Sequence, residues 1–109
     1  MSETITMPTL YYPVVGDLAV FDNTGPRPQF LVDSEKLKVL VVGLEAGQQI
    51  PAHPETLAVY HFLAGKGVMT VNHEAFAVMA GATVIAPAGA VRGLRAESRL
   101  TFLATKHGA

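Results

Sequence analysis

No cysteine occurs in the 109 residues, so neither a disulfide framework nor a thiolate metal site can organise this chain. Charge is scarce as well. Only 16% of the residues are charged, the formal net charge is -1, and Lys36, Lys38, Arg92, Arg95 and Arg99 are dispersed among apolar neighbours. That distribution leaves no basic footprint, so nucleic acid and anionic membrane surfaces are not expected as partners. No hydrophobic run approaches the ~20 residues needed to span a bilayer. The first thirteen residues hold Glu3 and no positive cluster ahead of an apolar run, so they do not read as a secretory leader, and a cytoplasmic location is the default expectation. No segment shows a helical period, and no internal repeat is evident.

What the chain does have is apolar surface and frequent turns. Half of its residues are hydrophobic, a balance that suits a single globule whose outer faces are also partly covered, and self-association is expected. At this length one core suffices, burying roughly two-thirds of the surface that the unfolded chain exposes. Glycine and proline punctuate short runs rich in Val, Ile, Thr, Phe and Tyr, the signature of many short strands. Strands are expected over residues 29–32, 37–44, 58–63, 68–71, 75–78, 83–85, 91–94 and 100–105, giving an all-β sandwich or barrel. Residues 1–28 read as an N-terminal arm or edge strand and residues 29–109 as the barrel. Asn72-His73-Glu74 marks a hairpin turn, with Asn72 or His73 left-handed. Strands 37–44 and 100–105 are apolar on both alternating faces, so each needs two covers, the second coming either from a dimer partner or from loops of the same chain.

Two stretches carry a definite spacing. The first runs Gly47, five residues, His53, Pro54, Glu55, and on to Gly65; the second runs Gly81, five residues, Pro87, Ala88, Gly89, two residues, Arg92. Together they resemble the paired motifs of the cupin family, over roughly residues 37–105. The resemblance implies a cupin double-stranded β-helix, a jelly-roll barrel. The glycines and Pro87 independently suit turn positions, where a residue tolerating positive φ or lacking an N–H is wanted.

In cupins that bind metal, two histidines, a glutamate and a later histidine converge on one divalent cation. The corresponding positions here are His53, Glu55, Ala58 and Arg92. Alanine cannot ligate and a guanidinium repels a cation, so the resemblance carries the scaffold without a resident metal. The alternative is one divalent transition metal held by His53 and Glu55.

Ligand-binding candidates are His53, Glu55, Tyr60 and Arg92. Strand parity points Ala58, Tyr60 and Phe62 inward and His61 outward; His73, His107 and Arg95 are expected at the surface. Two arrangements stay open. Glu55 pairs with Arg92 as an internal ion pair, or Arg92 anchors a carboxylate or phosphate of a small ligand in a pocket lined by Tyr60, Phe62, Val84 or Met69. The preferred function is a metal-free module, expected as a homodimer, that binds a small and by preference anionic organic ligand. Family analogy offers a metal-dependent dioxygenase or isomerase instead. A third reading is a metal-free acid/base enzyme, with His53 as base and Tyr60 as acid, as in some cupin-like sugar epimerases.

Overall fold

In the computed structural model, which describes residues 7–108, two antiparallel sheets face each other across one core. The strands are β1 (Gln29–Asp33), β2 (Leu37–Leu44), β3 (Gln49–Pro54), β4 (Ala58–Ala64), β5 (Lys66–Val71), β6 (Glu74–Met79), β7 (Thr83–Ala86), β8 (Val91–Ala96) and β9 (Leu100–His107). One sheet has the order β1-β2-β9-β4-β7 and the other β3-β8-β5-β6. Every expected strand is present, lengthened by one or two residues where the bounds differ. This is the all-β double-stranded β-helix that the motif spacing implied.

Alternation builds the core. Ala58, Tyr60 and Phe62 on β4 are buried, as are Leu100, Phe102 and Ala104 on β9 and Met69 on β5. Phe102 joins Tyr60 and Phe62 in tilted aromatic contacts, with ring centroids 6.1 and 5.7 Å apart. Gly47, Gly65, Gly81 and Gly89 all take positive φ, as does Asn72, at 54°, in the β5–β6 turn.

Strand β3 was not anticipated, because Pro51 and Pro54 break its pattern. It forms because it lies at a sheet edge, paired only with β8 and irregular between Ile50 and His53, where a missing N–H removes no ladder bond. The N-terminal arm also resolves into structure. Residues 15–18 form a 3-10 helix (Val15–Leu18), and Val20 bridges to Arg27.

That arm covers one end of the two-sided strands. Val41 is fully buried and Thr101 nearly so, although both point away from the core. A Cβ at Gly43 would lie 2.9 Å from both the Phe21 ring and the Val20 carbonyl oxygen, and one at Gly16 would lie 3.7 Å from Leu63. Arg99 secures the arm: its guanidinium stacks 4.2 Å above the Phe21 ring and donates to both Glu45 carboxylate oxygens, at 2.9 and 3.0 Å. Here the second cover comes from the same chain. The segment numbered 1–6 and residue 109 lie outside the described residues.

Candidate functional site in the barrel

The two sheets leave a cavity of about 320 Å³ between them. Its walls are apolar, formed by residues such as Leu40, Met69, Leu94 and Phe102, and its polar groups are Gln49, His53, Tyr60, Arg92 and Lys106. Pro26, Pro28 and Pro51 also line it, so the end of the arm helps to enclose it. Of the expected lining residues Met69 and Tyr60 are there. Phe62, wholly buried, and Val84 belong to the packed core instead.

Arg92 points inward from β8 and is only 2% exposed. Its guanidinium is ringed by oxygens. Nε donates to the Ala90 carbonyl at 3.1 Å, and one terminal nitrogen donates to the Thr56 carbonyl at 2.7 Å and the Tyr60 hydroxyl at 3.4 Å. The other reaches the carbonyls of Pro87, Ala90 and Glu55, at 2.8, 3.0 and 3.1 Å. Arginine has five N–H donors, and these contacts occupy all of them. Of the two arrangements expected for Arg92, the ion pair requires correction: the guanidinium meets the backbone of Glu55, not its carboxylate. Its role is to tie the β3–β4 and β7–β8 connections to β8.

The Glu55 carboxylate lies with Lys106 and His53. Oε2 accepts from Lys106 Nζ at 2.7 Å and sits 3.3 Å from His53 Nε2. Burial resists ionisation of Glu55, but the hydrogen bond and charge of Lys106, and then those of His53, outweigh it and hold the carboxyl below its ordinary value. His53 Nδ1–H donates to the Pro51 carbonyl at 2.9 Å. Both ring nitrogens of His53 thus face acceptor oxygens. Tyr60 is buried with its hydroxyl against Arg92, and His61 points outward, 2.8 Å from the Thr83 hydroxyl.

Lys106 is the residue that sequence reasoning missed. It extends the inward parity of Leu100, Phe102 and Ala104, and its Cα pairs with that of Ala58, whose small side chain leaves room for the long lysine. Parity continued two residues further would have found it.

The family's metal does not fit this donor set. Among the described residues no group of three or more His, Cys, Asp or Glu side chains is placed to hold a metal ion. His53 and Glu55 are the nearest donors, and the Glu55 oxygen that faces His53 already accepts from an ammonium. A catalytic centre of three protein ligands cannot be assembled from these residues.

No protein-family model matches the chain, and no curated protein matches it. Solved structures do. A conserved protein of unknown function from Streptococcus pyogenes aligns with a TM-score of 0.83 at 23% identity, covering 100% of this chain and 96% of that one. A cupin superfamily protein from Desulfitobacterium hafniense aligns with a TM-score of 0.84 at 13% identity, covering 99% and 100%. Salicylate 1,2-dioxygenase of Pseudoaminobacter salicylatoxidans aligns with a TM-score of 0.71 at 18% identity, over 77% of this chain and 27% of the enzyme. With its motif glycines at the turns and its strands in two facing sheets, the chain has the cupin fold, the double-stranded β-helix.

Proposed function

We propose that this chain is a binding protein which takes a small organic ligand into the barrel cavity without a metal ion. One observation carries the reading: a cavity of about 320 Å³ with apolar walls and a few convergent polar groups, the form that small-molecule sites take. The incomplete donor set around Glu55 supports the metal-free part of the proposal. The dioxygenase activity belongs to the neighbour that carries it, and nothing in the His53, Glu55 and Lys106 cluster repeats a three-ligand centre.

The test has two parts. Elemental analysis of the purified protein should find metal well below one equivalent, and near-equimolar iron, nickel, copper or zinc would overturn the metal-free reading. A fragment screen by ligand-observed NMR should then find binders that are lost on Ala104→Phe, which fills the cavity from β9. Binders indifferent to that substitution would place binding elsewhere. We also propose that the working unit is a homodimer, on the strength of the apolar surface left outside the arm's cover.

A further inference from the structure

Arginine and lysine both line the cavity, and their states differ. Arg92 has every N–H engaged by protein oxygens. Lys106 carries three N–H donors, and among the described residues its hydrogen bond goes to Glu55 Oε2 alone. Two donors on Nζ therefore remain for a ligand, on a side chain that is 21% exposed and lines the cavity. The charges around this point do not cancel. Glu55 offsets one cation, while Arg92 is solvated by carbonyl dipoles and has no carboxylate partner among its contacts, so the cluster keeps an excess positive charge.

From this geometry we infer that the ligand is a small monocarboxylate with an aromatic or branched aliphatic body, its carboxylate held by Lys106 and its body lying against Phe102, Met69 and Leu94. The inference rests on the reading of the barrel cavity as a small-molecule site. The carboxylate follows from an excess positive charge beside spare ammonium donors, where an ionised acceptor makes the stronger hydrogen bond. A single anionic group follows from there being one cation with donors to give: a second carboxylate would be buried against apolar walls without a partner. The apolar body follows from the walls, and a cavity at the small end of ligand sites sets the size at about that of benzoate or 4-methylpentanoate. Sequence motifs point to Arg92 as the anchor; hydrogen bonding transfers that part to Lys106.

The experiment compares benzoate, 4-methylpentanoate, benzamide, phthalate and inorganic phosphate by NMR titration of the wild-type protein and of Lys106→Gln. Benzoate and 4-methylpentanoate should bind about tenfold or more tightly than benzamide and phthalate, the ratio expected for a charge-assisted hydrogen bond. Lys106→Gln should bring benzoate to the level of benzamide while leaving benzamide where it was. Equal binding of benzoate and benzamide to the wild type would overturn the inference yet leave the cavity reading standing. Failure of every organic probe would end both, and phosphate binding as well as benzoate would reduce the site to a general anion trap. The wild-type ratio decides the matter even if Lys106→Gln does not fold.

Discussion

A single arginine shows how a residue can keep its place in a motif and change its work. In the metal-binding pattern the position of Arg92 carries the last ligand; here a buried guanidinium takes the carbonyls of Glu55, Thr56, Pro87 and Ala90 as its solvent. Arg92→Met should therefore destabilise the fold, because each buried carbonyl left without a donor costs about 1–3 kcal/mol. A loss of about 3–5 kcal/mol in urea unfolding is expected, and one below about 1 kcal/mol would show that water replaces the guanidinium. Arg92→Lys should recover little, since an ammonium cannot span the same fork of acceptors. Glu55 gives a second prediction at this scale. Its folded pKa is depressed, so the stability it contributes is fully present above the unfolded value of about 4.3 and is lost as pH falls through the lower folded value. The stability gap between wild type and Glu55→Gln should be constant near neutrality and close below about pH 4, and a gap unchanged by acid would mean that the Lys106 contact does not depend on charge.

At the scale of strands and turns, glycines with the same backbone angle should respond very differently to substitution. Gly47 and Gly65 have φ of 87° and 85°. A Cβ at Gly47 meets nothing within 4 Å, whereas one at Gly65 would sit 1.9 Å from the Arg99 carbonyl oxygen. Gly47→Ala should cost about 1–2 kcal/mol, the left-handed penalty alone. Gly65→Ala should exceed it by about 1–3 kcal/mol or prevent folding, because strands β4 and β9 must separate to admit the methyl group. Similar thermal unfolding of the two variants would show that the β4–β5 turn relaxes freely. These turns were legible in the sequence because glycine at a strand end has a narrow set of causes. Strand β3 was not, since Pro51 and Pro54 argue against a strand until its place at a sheet edge is known. The site was legible only in part. Spacing brought His53, Glu55, Tyr60 and Arg92 to one region, but which cation meets Glu55 depends on the reach of side chains from strands far apart in sequence. A pattern of residue types does not contain the contact between Lys106 and Glu55.

For the whole molecule the question is what covers the outer face that the arm leaves open. The arm lies over the ends of β2 and β9, near Gly43 and Thr101, and Arg99 clamps it there. Farther across the same sheet Val59 pairs with Ile85 on the edge strand β7, and Ile85 is 64% exposed, with Leu57 at 44% nearby in sequence. A standard interface removes about 800 Å² from each partner, roughly an eighth of the 6697 Å² this chain exposes, and an apolar edge of a sparsely charged surface is suited to supply it. A two-fold arrangement would set the β4–β7 faces of two copies against each other and close the contact without leaving a repeat to propagate. Light scattering coupled to size exclusion should therefore give twice the chain mass across the micromolar range. Ile85→Asp should give the monomer mass with an unchanged far-ultraviolet circular dichroism spectrum, because the side chain makes no core contact to lose. A wild-type monomer would refute the dimer outright, and a dimer that survives Ile85→Asp would place the interface elsewhere, for instance on the exposed arm, where Tyr11 and Val14 are among the further unburied apolar side chains.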